Sequence, residues 1–455
     1  MPPRVQRRDV IILKELGCNI VRCSHYPQHT AFLEACDELG LLVYEEAPGW
    51  GYIGDATWQD LVVRDVQQMV LRDRNHPSIL LWGVRLNETP NNKNLYTRTQ
   101  LMAKSLDDSR NTSGAIAGPD YGITDFQQDV FAFNDYYTQL INGTKFPRLK
   151  PPRTEWPFVL TEAVGAISGP SRTYRRFDPV FDQQAQSVAH GMVHSQAAAD
   201  PRYCGVVSWC GFDYPSAAGT DGVKYPGVVN EFRVPKLGAA MYAAQINPKQ
   251  RIVIEPAFYW YFNGTQSVST LGSQALIWSN ADKLELFIAE KHFATLSPST
   301  DLFGNLSYPP FIADFTAAII DANTSLPDLR IDSYAASGQK LGSRLFSSNT
   351  STDRFSMSVD DEILFADGAD STRVMFQVVD NYGVPRPSLY GYVQFQLTGP
   401  ARIIGDNPFP IGATGGVGAI WIRTQLGLTG NVTVVGTHSS LGSVGKNISV
   451  LASPS

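Results

Sequence analysis

The chain has 455 residues, of which 43% are hydrophobic and 11% aromatic, and its formal net charge is −6 with 18% charged residues. This length suits about three domains, each large enough to bury a core. The acidic balance, without a basic stripe, argues against nucleic acid as a partner, and the lack of a run of about 18 apolar residues argues against a membrane span.

The first half of the chain alternates between helical and strand patterns. Predicted helices cover residues 4–16, 29–39, 58–72, 94–106, 179–199 and 235–245. Predicted strands cover residues 18–22, 41–45, 79–84, 113–117, 129–133, 158–160 and 203–209. Such alternation predicts a parallel sheet covered by helices, and this many strands over residues 1–247 favours a (β/α)8 barrel. No Gly-X-Gly-X-X-Gly follows the first strand, so a dinucleotide site is not expected.

Closing such a barrel takes eight strands, whereas the pattern supplies seven. The chain opens in a helix of the kind that follows a first strand. We therefore expect a barrel that lacks its first strand, with exposed edges on the strands that begin at Cys18 and Tyr203. Exposed edges favour aggregation. The expectation is a truncated chain with poor solubility and weak or absent activity.

Beyond residue 247 the helical period disappears, and short alternating runs are separated by turn residues. This pattern predicts two β-sandwich modules of immunoglobulin-like type, at 248–356 and 357–455. The glycine-rich stretch Gly412–Gly418 lacks the lysine of a phosphate-binding loop, so it is interpreted as a sandwich loop.

Two glutamates stand where buried strands end. Glu88 closes the run that begins at Pro77, and Glu162 closes the run that begins at Pro157. A carboxylate is costly to bury and is rarely placed there without a partner or a task. Either one alone is best explained as a salt-bridged rim residue. As a pair they match glycoside hydrolysis, in which one carboxyl protonates the leaving oxygen and the other attacks or activates water.

Several segments together resemble glycoside hydrolase family 2. They are Ile20–Pro27 (IVRCSHYP), Arg72–Trp82 (RDRNHPSILLW), Trp82–Glu88 (WGVRLNE), Phe158–Glu162 (FVLTE) and Gly205–Tyr214 (GVVSWCGFDY). The likeness is greatest to β-galactosidase-like members with extra C-terminal sandwich domains, to which Gly405–Phe409 is similar. Family members also carry two modules before the barrel, and we expect this chain to lack them.

The resemblance implies an O-glycosyl hydrolase that removes terminal β-glycosides with retention, most readily β-galactosides, with β-mannosides and β-glucuronides as alternatives. Its partner is a glycoside or oligosaccharide, and the oligomeric state stays open. Glu88 would be the acid/base, Glu162 the nucleophile, and Asn87 a ligand of the sugar 2-hydroxyl. Further candidates for substrate contact are Arg22, His25, Trp50, Tyr136, Trp209 and Asp213.

These further candidates have alternatives. Tyr136 would hold Glu162, with its neighbour Tyr137 as a rival for that role. Trp209 is either a platform under the sugar or a core side chain, and Arg22 and His25 suit structural roles equally well. A non-catalytic carbohydrate-binding protein derived from a decayed hydrolase is the alternative of another functional class.

No metal or other cofactor is expected. Some family members bind magnesium through a Glu-X-His stretch, which here reads Ala47–Tyr52 (APGWGY) without either ligand. Trp50 and Tyr52 instead suggest an aromatic lining. His190 and His194 are four residues apart, but Gly191 stands where a zinc peptidase would need a glutamate.

Asn-X-Ser/Thr triplets suggest a secretory protein. They begin at Asn87, Asn111, Asn142, Asn263, Asn305, Asn323, Asn349, Asn431 and Asn447. Each is the pattern of an N-glycosylation acceptor. The triplet at Asn87 is an exception, because Asn87 directly precedes the candidate catalytic residue Glu88 and cannot carry a glycan there. The alternative is that these triplets arise by chance from the polar composition of the loops. The N-terminus lacks the apolar core of a signal peptide, and the five cysteines form no metal or redox pattern.

Overall fold

The computed structural model describes residues 1–120, 125–165, 174–220, 222–262, 264–321, 327–388 and 390–453. They form two compact units. The barrel unit comprises Gln6–Arg172 and Ala189–Gly211, and the C-terminal unit comprises Met1–Val5, Thr173–Val188 and Phe212–Ser455. No helix among the described residues is both long enough and apolar enough to cross a bilayer.

The helices follow the periodicity of the sequence. They are α1 (Pro3–Glu15), α2 (Thr30–Leu39), α3 (Ala56–Asp73), α4 (Lys93–Leu106), α5 (Val180–Ala198), α6 (Ala239–Ala243) and α7 (Thr316–Asp321). Their ends have local causes. The side chain of Asp55 accepts from the backbone N–H of Trp58 at the start of α3, and Gly40 ends α2 with φ 70°. Helix α6 is shorter than the predicted 235–245, and α7 was not predicted.

Parallel strands form the centre of the barrel unit. They are β1 (Ile20–Cys23), β2 (Leu42–Glu46), β3 (Ile79–Gly83), β4 (Asn111–Ser113), β5 (Ala115–Ile116), β6 (Phe131–Asn134), β9 (Phe158–Glu162) and β10 (Tyr203–Val206). Their hydrogen bonds give the orders β1-β2-β3-β4 and β10-β9-β6-β5. Only Gly114 separates β4 from β5, and a Cβ there would lie 2.1 Å from Cβ of Arg85.

These eight strands occupy the seven positions that the sequence predicts, because β4 and β5 together stand at the predicted strand 113–117. Within the described part of the chain, β1 and β10 each stand at the end of one of these two orders and are not paired with each other. Tyr44, Leu81, Ala132 and Val159 from β2, β3, β6 and β9 form one buried cluster. Because parallel strands run in the same direction, their carboxyl ends meet at one rim.

A hairpin that the sequence analysis missed follows β6. It consists of β7 (Thr138–Ile141) and β8 (Thr144–Pro147), paired antiparallel. Asn142 and Gly143 join them with φ 50° and 80°. Asn-Gly with two positive φ angles is the preferred two-residue hairpin turn, so the signal was present in the sequence.

The C-terminal unit is built of antiparallel sheets. After a small hairpin of β11 (Tyr214–Thr220) and β12 (Val223–Lys224) come β13 (Ile254–Pro256), β14 (Ala275–Ser279), β15 (Lys283–Ile288), β16 (Lys291–Leu296), β17 (Phe311–Ala313), β18 (Leu329–Tyr334) and β19 (Lys340–Phe346). Two sheets result, β13-β14-β17 and β16-β15-β18-β19. One buried apolar cluster takes side chains from both sheets.

A second pair of sheets completes this unit. Its strands are β20 (Arg354–Val359), β21 (Ile363–Phe365), β22 (Ser371–Val379), β23 (Val393–Thr398), β24 (Ala401–Ile404), β25 (Val417–Thr424), β26 (Gly430–His438) and β27 (Gly442–Leu451). The orders are β20-β22-β25-β24 and β21-β27-β26-β23, around one shared core. The expected boundary at 356/357 falls inside β20, whose pairing with β22 assigns it to this last module.

Candidate active site

Polar side chains gather where the barrel strands end. Glu46 and Glu162 are the last residues of β2 and β9, Asn134 is the last of β6, and Glu88 lies five residues beyond β3. The register pairs Asn134 with Glu162. The catalytic side chains of this fold project from this rim.

Glu162 is 5% exposed and is held by a donor on each oxygen. Nη1 of Arg22 donates to its Oε1 and the Tyr136 hydroxyl donates to its Oε2, both at 2.8 Å. Burial and then the Glu162 carboxylate raise the pKa of Tyr136 well above its ordinary value, which keeps the phenol a donor. Tyr137 is 49% exposed, and its ring lies beneath Nζ of Lys150. Of the two tyrosines, Tyr136 therefore contacts Glu162.

Arg22 joins the two halves of this rim. Its guanidinium donates to Glu46 from Nε (2.7 Å) and Nη2 (3.0 Å), and Nη2 also donates to Oδ1 of Asn87 (2.9 Å). Burial by itself would lower the pKa of Arg22, but the carboxylates of Glu46 and Glu162 raise it above the ordinary value. A buried guanidinium is stable only with such partners, so Arg22 keeps both carboxylates in fixed positions.

Asn87 presents an unused donor. Its Oδ1 accepts from Arg22 and from Nδ2 of Asn134 (3.3 Å), which fixes the orientation of the amide. Its Nδ2 is buried, and no described residue accepts a hydrogen bond from it. A buried donor without an acceptor costs about 1–3 kcal/mol. A ligand hydroxyl would supply that acceptor.

Glu88 differs from Glu162 in being partly exposed. Its Oε1 accepts from Nδ2 of Asn134 (3.0 Å) and its Oε2 from Nε1 of Trp50 (2.9 Å). Its backbone has φ 52°, a left-handed conformation that is uncommon for a residue other than glycine. Strain of this kind concentrates at functional sites.

An aromatic pair lies beside Glu162. The rings of His25 and Trp209 stack with centroids 5.4 Å apart and an interplanar angle of 10°. Nδ1 of His25 lies 2.7 Å from Oε1 of Glu46, and Nε2 lies 3.9 Å from Oε1 of Glu162. Trp209 is partly exposed, and its backbone pairs with Val164 just beyond β9. This placement favours a platform over a core side chain.

Asp213 has structural partners. Its carboxylate is 1% exposed, accepts from Nζ of Lys236 at 3.0 Å through both oxygens, and accepts from the backbone N–H of Gly227. Burial raises its pKa to about 7 even though the Lys236 ammonium opposes the shift. These contacts explain the aspartate as half of a buried ion pair, and they lend no support to a sugar contact.

The histidine pair is also structural. Burial lowers the pKa of His194 to about 4, and Nε2 of His194 lies 3.4 Å from the Ser208 hydroxyl. His190 is fully buried. Among the described residues, His, Cys, Asp and Glu side chains form no group of three or more that could hold a metal ion.

Comparison with known proteins identifies the family. The TIM barrel domain of glycosyl hydrolases family 2 matches residues 2–250. The chain belongs to glycosyl hydrolase family 2. Over 93% of its length it is 33% identical to a β-galactosidase of Thermoanaerobacter pseudethanolicus, and over 90% it is 34% identical to one of Thermoanaerobacterium thermosulfurigenes. It spans only 56% and 57% of these two relatives.

Solved structures of family 2 proteins share the fold. A member from Bacteroides cellulosilyticus superposes with a TM-score of 0.68 at 18% identity, covering 99% of this chain and 59% of its own. A β-glycosidase from Bacteroides vulgatus gives a TM-score of 0.72 at 17% identity, covering 99% and 62%. The predicted barrel with following β-sandwich domains is therefore confirmed.

Two site residues of this family 2 chain escaped the sequence analysis. Glu46 binds Arg22, and Asn134 contacts both Asn87 and Glu88 while accepting from the Thr161 hydroxyl (2.8 Å). Each lies one residue beyond a predicted strand, 41–45 for Glu46 and 129–133 for Asn134, and ends the observed strand. A polar residue at a strand end is the signal that selected Glu88 and Glu162. The rule of reading polar residues at strand ends would have found them.

Proposed function

We propose that this chain carries the catalytic barrel of a retaining, exo-acting β-glycosidase, with terminal β-galactosides as its preferred substrates. The preference for galactosides rests on the two relatives at 33% and 34% identity, which are both β-galactosidases. The assignment of the two roles rests on one feature of the rim: Glu162 is buried beside the charged guanidinium of Arg22, whereas Glu88 is partly exposed and accepts from two neutral donors.

Glu162 suits the nucleophile. It is 5% exposed, and Arg22 and Tyr136 each donate to one of its oxygens. These two donors, one of them the charged guanidinium of Arg22, hold the carboxylate in position for attack. In the first step an oxygen of Glu162 attacks the anomeric carbon and forms a glycosyl ester, while Glu88 gives its proton to the leaving oxygen.

Glu88 suits the acid/base, which must meet the leaving group and then a water molecule. It is the more exposed of the two. In the second step it takes a proton from water, whose oxygen attacks the anomeric carbon and releases Glu162. Two displacements retain the configuration. The carboxyl groups are expected to lie about 5–5.5 Å apart, the separation of retaining enzymes.

Two more contacts fit a sugar between these carboxylates. Nδ2 of Asn87 is the buried donor without an acceptor, suited to the 2-hydroxyl, where a hydrogen bond strengthens in the transition state. Trp209, stacked on His25, offers an apolar face to the ring.

The test is covalent trapping. The purified chain is screened against nitrophenyl β-glycosides, including galactoside, mannoside, glucoside and glucuronide. It is then treated with the 2-deoxy-2-fluoro analogue of the best substrate, and the labelled peptide is sequenced by mass spectrometry. We expect the label on Glu162, and loss of turnover in Glu162→Ala. When azide is added to Glu162→Ala, turnover that gives a product of retained configuration should not return.

The matched control is Glu155→Gln, since Glu155 is an exposed glutamate shortly before the same strand. It should retain wild-type kcat/KM. An inverted product in the NMR time course, or a label on another residue, would refute the role of Glu162. Saccharide binding without turnover would support the decayed, non-catalytic alternative.

A further inference from the structure

The loop after β2 brings an aromatic side chain to Glu88. Trp50 pairs with Asn87 as an isolated parallel bridge, and the backbone N–H of Gly51 donates to the carbonyl of Asn87 (2.8 Å). The β2–β3 pairing thus resumes beyond both strands. Gly49 and Gly51 flank Trp50 with φ 151° and 66°. These conformations favour glycine and allow the loop to turn tightly on either side of the indole.

The indole fixes one oxygen of Glu88. Nε1 of Trp50 donates to Oε2 (2.9 Å) while Nδ2 of Asn134 donates to Oε1 (3.0 Å). With one donor on each oxygen, the carboxyl plane has a defined orientation. General acid catalysis requires such an orientation, because the proton must point at the leaving oxygen.

The rest of the Trp50 side chain faces outward. It is 63% exposed, and Tyr52 nearby is 62% exposed. Glu88 meets the leaving oxygen, so an apolar ring bound to Glu88 and open to solvent lies on the leaving-group side. Trp209, by contrast, stacks on His25 next to Glu162. Trp50 is thus bound to the proposed acid/base, whereas Trp209 lies beside the proposed nucleophile.

The residues of this loop do not suit a magnesium ion beside Glu88. Magnesium prefers oxygen ligands in octahedral arrangement, whereas Ala47–Tyr52 supplies no carboxylate. The N–H of Trp50 already occupies Oε2 of Glu88. A hydrogen-bond donor thus stands where a cation would otherwise orient this carboxyl group.

We infer that Trp50 has two separable roles, which rest on the proposed function. As a positioning residue, Trp50 orients the carboxyl group of Glu88 through its N–H. The face of its indole forms a platform for leaving groups that present an apolar ring, either a second pyranose or an aryl group. Sugars and aromatic rings stack on such faces.

Two substitutions separate the roles. Trp50→Phe keeps a flat ring but removes the N–H, and Trp50→Ala removes both. With Trp50→Phe, kcat/KM for a β-disaccharide or methyl β-glycoside should fall about 10- to 100-fold, the effect of one hydrogen bond to a charged group. For the dinitrophenyl glycoside, whose departure needs little acid assistance, kcat/KM should stay within about 3-fold.

With Trp50→Ala, KM for both the disaccharide and the dinitrophenyl glycoside should also rise, about 3- to 10-fold, through loss of stacking. Trp156→Phe is the matched control, because Trp156 is 65% exposed and lies before β9. This substitution should change neither kcat/KM nor KM for either substrate. Treatment of the wild type with EDTA should leave kcat/KM for both substrates unaltered.

If Trp50→Phe lowers kcat/KM equally for both substrates, or leaves kcat/KM for the disaccharide unchanged, the positioning role is overturned. An unchanged KM in Trp50→Ala would overturn the platform. A loss on EDTA treatment that magnesium restores would overturn the replacement of a cation by the indole. Failure of the wild type to cleave any β-glycoside would overturn the proposed function and this inference together, whereas unaffected variants of an active enzyme would overturn the inference alone.

Discussion

The buried guanidinium of Arg22 organises the rim at the carboxyl ends of the barrel strands. The Arg22 side chain is 2% exposed, and it pairs with Glu46 and Glu162, whose side chains are 3% and 6% exposed. Each charge is tolerable only because the others are present, since an unpaired buried charge is strongly destabilising. The same arginine therefore contributes to stability and to the geometry of the site.

Replacement of Arg22 by leucine should lower the free energy of unfolding by ~3–5 kcal/mol, because two buried carboxylates lose their common partner. Urea denaturation measures the change. Arg7→Leu is the control, since its partner Glu38 has a 62% exposed side chain and surface pairs contribute about 0–1 kcal/mol. Equal losses in the two variants would show that Arg22 adds no more than a surface pair.

The neighbouring tyrosines offer a second contrast. Tyr136→Phe removes the hydroxyl that donates to Glu162, and kcat/KM should fall about 10- to 100-fold, as expected for one charge-assisted hydrogen bond. Tyr137→Phe should retain wild-type kcat/KM, because Tyr137 is half exposed and faces Lys150. Steady-state kinetics on a nitrophenyl glycoside measures both, and the reverse ranking would return the role to Tyr137.

At the scale of elements, strand β2 carries two adjacent glutamates with different surroundings. Glu46 binds Arg22 at the rim, whereas Glu45 is fully buried near Asp73 of α3. Nη2 of Arg72 lies 3.7 Å from Oε1 of Glu45. Burial and then the Asp73 carboxylate raise the pKa of Glu45 from 4.5 to about 8. The fold therefore favours Glu45 in its protonated form.

This raised pKa has a consequence for stability. An acid whose pKa is higher in the folded state loses protons first in the unfolded state, so stability falls as pH rises from about 4.5 to about 8. The slope from this one group is at most about 1.4 kcal/mol per pH unit. Glu45→Gln cannot ionise and should remove this part of the decline, as measured by urea denaturation at pH 5, 6.5 and 8.

The control for this series is Glu34→Gln, an exposed glutamate on α2, which should follow the wild-type pH dependence. Parallel curves for the wild type and Glu45→Gln would contradict the assignment.

At the scale of the whole molecule, the glycosylation triplets differ in accessibility. Asn87 is 2% exposed, whereas Asn142 lies exposed in the β7–β8 turn and Asn431 lies exposed on β26. The triplets at Asn263 and Asn323 begin outside the described residues. We propose that the chain belongs to a secreted protein.

Expression through a eukaryotic secretory pathway should therefore attach glycans at Asn142 and Asn431 and leave Asn87 unmodified, because a transferase reaches only exposed acceptors. Peptide mapping by mass spectrometry before and after enzymatic deglycosylation measures the occupancy. Asn142→Gln should remove one glycan without changing kcat/KM. A secreted chain without any glycan, or one modified at Asn87, would contradict the proposal.

Much of this architecture could be predicted from local pattern. Strand positions such as that of β3 and helix ends such as Gly40 follow from periodicity and end signals. The length of α6 and the existence of α7 could not, since short helices depend on packing more than on propensity. Hairpin β7–β8 could have been predicted from its Asn-Gly turn.

The sequence by itself determined the barrel, the sandwich modules and the two glutamates at strand ends, because each depends on patterns within a few residues. Only the tertiary structure decided which side chains meet: Arg22 with Glu162, 140 positions apart, and Trp50 with Glu88. It also decided that Asp213 belongs to a buried ion pair with Lys236. Such contacts depend on strand register and on how the sheets curve, which local periodicity does not encode.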